Sequence, residues 1–205
     1  ATSATREALN KEEFLTKVYA ETGIEINIVS GYEEARLIYL GVLQSLDIFN
    51  KKILLVDIGG GSTEFLIGEN GDVKSASSLK VGAVRLTHKY SLAEKIEKSD
   101  LKDSKLFVKG AINQVVRTLE NEKYDLAIGS SGTINNIGSI ISAKDNPESD
   151  IDISLNGFVI KRKALNAAVN EIFDCETRSE RLAIPGLDPK RADIITAGAV
   201  ILEQI

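Results

Sequence analysis

The sequence predicts a mixed α/β fold: an antiparallel meander flanked by helices. Three observations point there. KILLVDIGG is a continuous apolar strand ending in glycines, GGST turns the chain, and EFLIGE leaves as a second strand. Asn70-Gly71 is a type I′ hairpin signal, so DVKSASSLKV returns as a third strand. Around this meander apolar residues recur at helical spacing, most clearly Leu106, Val108, Ile112, Val115, Val116 and Leu119 in a helix over 104–121.

The other elements follow in chain order. Residues 5–21 carry Ala8, Leu9, Phe14, Leu15, Val18 and Tyr19 at a spacing that suits an amphipathic helix or two short ones. GIEINIVSG alternates Ile24, Ile26 and Ile28 and stops at glycine, the pattern of a short strand. YEEARLIYLGVLQSL is then an apolar helix, and Ser30-Gly31-Tyr32-Glu33 is its capping box. After the meander a helix begins near Gly82 and runs to about Tyr90. DLAIG reads as a strand, GSSGT as a turn and INNIGSIIS as the start of a helix. NPESDIDISLNG is polar and reads as a loop with a short strand. A helix covers 161–173, and Thr177-Arg178-Ser179-Glu180 is a second capping box. Asp188-Pro189 opens a last helix through Ala192, Ile195, Ala199 and Leu202, in which the small residues of TAGA permit close packing. A boundary falls near 49–52.

Composition narrows the class. The chain has 205 residues, 43% hydrophobic and 27% charged, as in an ordinary globular protein. No apolar run approaches the ~18 residues of a membrane helix, and the N-terminus lacks the pattern of a signal peptide. A single cysteine, Cys175, excludes an internal disulfide framework and a cysteine-based zinc site, and fits a reducing cytoplasm. A net charge of −5 argues against non-specific nucleic-acid binding and leaves room for a local basic groove. The chain contains no methionine, which reads as a fragment or processed product of something longer.

Two glycine loops carry the chemistry. The first, LLVDIGGGSTEFLIG, places Asp57 at the end of a buried strand, followed by Gly59, Gly60 and Gly61, the hydroxyls of Ser62 and Thr63, and Glu64. Glycines there can serve a tight hairpin through φ > 0, or let backbone N–H groups converge on an anion. It is neither a Walker A loop nor a Rossmann fingerprint, because it runs from strand to strand. The second loop, Gly129, Ser130, Ser131, Gly132 and Thr133, lies between a strand and a helix whose N-terminus favours negative charge. The pair is far more specific than either loop alone.

With these motifs the chain resembles the exopolyphosphatase / guanosine pentaphosphate phosphatase family of the actin-like (ribonuclease H-like) ATPase superfamily. The resemblance runs through ATSATREALN, IVSGYEEARLIYLGV, VDIGGGSTEFLIG, VGAVRLT, IGSSGTINNI and RLAIPGLDPKRADIITAGAVILEQI, in order and spacing. It implies an actin-like fold in which residues 1–50 are the end of a first domain plus a linker helix. Residues 51–205 would be a second domain lacking its final strand. It implies Mg²⁺-dependent removal of the terminal phosphate from polyphosphate or guanosine pentaphosphate in a cleft between two domains. No nucleic-acid or membrane partner is implied, the setting is cytoplasmic, and the parent is expected to be a homodimer.

The resemblance also distributes roles. The second glutamate of SG-x-EEA, here Glu34, is the residue that activates water. Its plain reading is a solvated first-turn acid; Glu33 already has a capping role, and Glu34 points about 100° away around the helix. Arg6 becomes a phosphate contact, and the two loops bind phosphate. Asp57 and Glu64, otherwise hairpin-end charges, are assigned to Mg²⁺, since acids beside a polyanion need an intervening cation. Lys80, Arg85, Lys89 and the run 161–163 read as solvated face, with lining of the substrate path as the alternative, His88 as structural or exposed, and Cys175 as a small buried apolar residue. The family's first phosphate loop, Asp-x-Gly-Ser-Asn after a strand, is not found in the chain, so the chain alone is expected to be inactive. Two rival readings are a regulator that binds without turnover and an ATP-dependent kinase or ATPase of the same superfamily.

Overall fold

A computed structural model describes residues 1–119, 122–145 and 155–205. Three helices lead the chain: α1 (Ser3–Glu7), α2 (Lys11–Thr22) and α3 (Gly31–Ser45). The meander follows as β1 (Lys52–Ile58), β2 (Thr63–Glu69) and β3 (Asp72–Leu79). Then come α4 (Ala83–Lys89), α5 (Lys98–Leu119), β4 (Leu126–Ser130) and α6 (Ser131–Asp145). The last elements are α7 (Arg162–Asp174), α8 (Arg178–Leu182), a 3₁₀ turn at Pro189–Arg191, and α9 (Ile195–Glu203).

The four strands form one mixed sheet in the order β3-β2-β1-β4, with β1 antiparallel to β2 and parallel to β4. Strand alternation sends β1 into two cores. Leu54, Val56 and Ile58, with Phe65 and Ile67 of β2, pack under residues of α4, α5 and α9. Ile53, Leu55 and Leu66 face the other way, against Ala35 and Tyr39 of α3. A third cluster joins α6, α7 and α9 through Ile137, Ile140, Val169, Ile172 and Ile195. In α9, Gly198 allows contact with the Thr133 side chain, the close packing that TAGA suggested. The hairpin between β2 and β3 has φ 53° at Asn70 and 81° at Gly71, as a type I′ turn requires.

Four local expectations need correction. Residues 23–29 form no strand. Apart from Gly23 N–H to Tyr19 O, which closes α2, their backbone–backbone bonds among the described residues are two with Ala1, Val29 N–H to its carbonyl at 3.0 Å and its amine to Asn27 O at 2.6 Å, too few to make a ladder. The box at Ser30 is half made: Ser30 Oγ accepts from Glu33 N–H at 3.1 Å, while the Glu33 carboxylate forks onto Arg36 at 2.8 Å. The box at Thr177 is complete. The long helix begins at Lys98, earlier than expected. Finally, Asp188 caps only the 3₁₀ turn, and α9 starts afresh at Ile195. The Ala192 carbonyl, which a continuous helix would offer to residue 196, accepts instead from Arg181 Nε at 2.8 Å. The polar stretch 146–154 and residues 120–121 lie outside the described residues.

Candidate functional site: two glycine loops and three acids

The first loop owes its shape to close approach. None of Gly59, Gly60 and Gly61 has positive φ, so the turn does not require glycine for its dihedrals. A Cβ on Gly61 would lie 2.6 Å from Ser3 Oγ, and one on Gly60 3.2 Å from Val84. The loop is pressed between α1 and α4. Its carbonyls face α4: Gly59 O accepts from Ala83 N–H at 2.9 Å, Gly60 O from Arg85 N–H at 3.0 Å, and Gly61 O from Arg85 Nε at 2.9 Å. In a trans peptide the next N–H points the opposite way. The N–H groups of Gly60, Gly61 and Ser62 therefore point away from the donors that hold the carbonyls.

The second loop is built differently. Ser130 Oγ donates to Asp57 Oδ2, and Ser131 Oγ donates to Ile58 O at 2.9 Å, so the two loops are zipped together. Ser131 holds φ 75°, uncommon for a residue with a side chain. Gly129 leaves room for Ile134, and Gly132 for the Arg191 guanidinium, which lies where a Cβ would stand. Arg191 thus covers the N-terminus of α6; among the described residues it forms one ion pair, a long one of 3.9 Å to Asp188.

The three acids converge beside the first loop. Asp57 and Glu64 are direct partners in the β1–β2 register, on one face of the sheet. Burial pushes the Asp57 carboxyl up, a hydrogen bond from Ser130 opposes this, and the Glu34 charge adds to the rise. Burial likewise pushes Glu64 up; hydrogen bonds from Ser78 and Ser62 oppose it, and the charges of Glu34 and Asp57 raise it further. Glu34 reaches this position because Gly31 lets α3 approach Ser78, the residue whose hydroxyl donates to Glu64 Oε1 at 2.7 Å. Arg6 faces Glu34 at 3.4 Å and donates to Val29 O at 2.6 Å.

The structure thus gathers Arg6, Glu34, Asp57 and Glu64 with Gly59, Gly60, Gly61 and Ser62. The remaining hydroxyls are committed elsewhere. Thr63 is buried and donates to Val81 O at 2.6 Å, and Thr133 is buried against Gly198. An O–H that donates inside the protein has no proton left for a ligand, which removes the hydroxyls of Thr63, Ser130 and Ser131 as donors. Sequence reading missed Arg191 and undervalued Arg85. Arg191 stands far along the chain from Gly132, and nothing in DPKRAD marks which base turns inward. Arg85 grips the Gly61 carbonyl and is itself held by Glu7 at 2.7 Å. Cys175 is only partly buried, with burial raising its thiol.

A cation fits the acidic pair. Glu64 Oε2 is buried with no hydrogen-bond partner among the described residues, an orphan atom beside a second carboxylate. Among the described residues no three carboxylate, histidine or cysteine ligands gather closely enough to enclose a metal.

A mixed sheet with two glycine loops at one end, flanked by helices, defines the class as an α/β domain. Comparison with known proteins makes this specific. The model of the Ppx/GppA phosphatase family matches residues 1–205, and the chain belongs to that family. It is 36% identical over its whole length to a bifunctional 3-dehydroquinate synthase/phosphatase of Fusobacterium nucleatum, covering 30% of that protein. It is 30% identical to the guanosine-5'-triphosphate,3'-diphosphate pyrophosphatase of Vibrio atlanticus, covering 39% of it. The crystal structure of an exopolyphosphatase from Cytophaga hutchinsonii matches 99% of the chain, with a TM-score of 0.85 and 26% identity. That of the Aquifex aeolicus Ppx/GppA family member matches with a TM-score of 0.77 and 25% identity. The fold is therefore the mixed α/β fold of this family's solved members. The chain spans 30–39% of these curated relatives and 64% of these solved chains.

Proposed function

We propose that the protein containing this chain hydrolyses the terminal phosphoanhydride of inorganic polyphosphate or guanosine pentaphosphate and releases orthophosphate. The observation that carries this reading is the convergence of Glu34, Asp57 and Glu64 on a loop whose N–H groups face one way. Burial first, and the neighbouring acid charges second, raise the cost of ionising Asp57 and Glu64, a cost that structural needs alone do not explain.

In this mechanism the N–H groups of Gly60, Gly61 and Ser62 hold the terminal phosphate. The α6 N-terminus and Arg191 take the next one, so the chain's negative charge is spread over both loops. Asp57 and Glu64 would hold Mg²⁺, which would offset phosphate charge there. Glu34, oriented by Arg6, accepts a proton from water as its oxygen attacks the terminal phosphorus in line. The P–O bond to the remaining chain then breaks. Transfer of this kind depends on positioning and electrostatics. The domain division near residue 50 and the cytoplasmic setting belong to the same proposal.

The test is phosphate release from long-chain polyphosphate and from guanosine pentaphosphate by the full-length protein, wild type beside Glu34→Gln. Wild-type release that falls roughly 10²–10⁴-fold in the variant supports a general base at Glu34. Binding without release by either protein would favour a sensor, and a variant that keeps most of the activity removes Glu34 from the chemistry.

A further inference from the structure

Arg181 is the largest fully buried side chain in the described structure, yet among the described residues no carboxylate hydrogen-bonds to it, Glu94 and Glu180 acting on it only as neighbouring charges. Its guanidinium forks onto three carbonyls: Ala192 O at 2.8 Å, Glu94 O at 3.1 Å, and Ala93 O. Nη1 has no hydrogen-bond partner among the described residues. Burial pulls its pKa down. A buried cation without a carboxylate is costly, and an apolar side chain of similar volume would fill the same space. The arginine must therefore serve where its fork points.

Its two targets belong to the supports of the two glycine loops. Ala192 directly follows Arg191, whose guanidinium covers Gly132. Ala93 and Glu94 follow α4, the helix whose N-terminus takes the carbonyls of the first loop. Leu92 N–H returns to Thr87 O at 3.0 Å, which fixes that exit, and Ile96 N–H donates to Glu176 O at 2.8 Å, which fastens it to the approach to α8. The complete capping box of Thr177 and Glu180 sets the helix that presents Arg181. A continuous path therefore runs from the first loop through α4, Arg181 and Ala192 to Arg191 and the second loop.

We propose that Arg181 is a positioning residue: it fixes the turn that holds Arg191 over the second loop and locks that turn to the support of the first. This rests on the reading of Arg191 as a phosphate contact, and two measurements on the full-length protein separate them. The first uses no ligand. Hydrogen exchange in Arg181→Lys, which keeps the charge and loses the fork, should accelerate at 189–194 and 129–134 while β1–β3 keep their protection. Unchanged exchange at 129–134, or uniform acceleration everywhere, overturns the proposal.

The second is a double-mutant cycle read as affinity for inorganic tripolyphosphate. Arg181→Met should weaken binding about 5- to 20-fold in the wild-type background and less than about 2-fold in Arg191→Ala. A merely structural role would lower the bound fraction equally in both backgrounds without changing the affinity of the folded molecules; equal weakening in both also overturns the proposal. If Arg181→Met does not fold, Arg181→Lys and Thr177→Ala give the same cycle with smaller effects. A wild type that does not bind tripolyphosphate would sink the phosphate reading, and the exchange pattern would still decide whether Arg181 positions the turn.

Discussion

The two glycine loops lie at the same end of the sheet and are shaped by opposite means. The first is backbone throughout: α4 takes its carbonyls and thereby turns its N–H groups outward. The second is a helix start dressed with side chains, Ser130 and Ser131 tied to the first loop and Arg191 laid over Gly132. The difference teaches what each glycine is for. In the first loop they let backbone and helices touch. In the second, Gly132 makes room for the Arg191 guanidinium.

That contrast breaks most sharply at Gly82, which holds α4 against the first loop. A Cβ there would lie 2.5 Å from the backbone of residues 60–62, and backbone cannot step aside cheaply. Gly82→Ala should cost about 1–3 kcal/mol in denaturant unfolding and weaken tripolyphosphate binding roughly tenfold or more, a difference of about 1.4 kcal/mol. An alanine tolerated without loss in either assay would mean that α4 does not set the loop. Gly132→Ala is the counterpart, since it meets only the end of a flexible arginine. Stability should change by less than about 1 kcal/mol, while affinity falls several-fold as Arg191 is displaced.

The acids sharpen the contrast in pH. Glu64 has its folded pKa pushed above the ordinary 4.5 by burial first, so its ionisation opposes folding above that folded value. The penalty disappears as pH falls below the unfolded value. Glu64→Gln, neutral throughout, should therefore raise the melting temperature at pH 7–8 and lose that advantage toward pH 4, while phosphate release collapses. A lowered melting temperature at pH 8 would contradict a penalty from burial. The smallest effect is expected at Ser131. Replacing it by glycine relieves a positive φ worth about 1 kcal/mol or more and removes a hydrogen bond worth about 1 kcal/mol, so stability should barely move. A loss above about 2 kcal/mol would show that the Ser131–Ile58 tie, and not the backbone, holds the second loop.

The strands, the hairpin and the glycine loops were legible because each is a local pattern: alternation, Asn70-Gly71, and glycines after an apolar run. The extended stretch 23–29 was misread because alternation reports a face, while a strand also needs a partner that only tertiary structure supplies. The final helix was misread because Arg181, eleven residues before Ala192, takes the carbonyl that would have continued it. Asp57, Glu64 and Glu34 could be suspected from motif and resemblance; their convergence depends on the register of β1 with β2 and on Gly31 admitting α3. Arg191 and Arg181 had no local signal, because the burial and aim of an arginine are set by residues distant in sequence.

The most direct test of the two loops as one site is a backbone-amide titration of the protein with inorganic tripolyphosphate. The amides of Gly60, Gly61 and Ser62 should move together with those of Gly132 and Thr133, with a single dissociation constant. Shifts confined to one loop, or two loops titrating independently, would contradict a shared anion site.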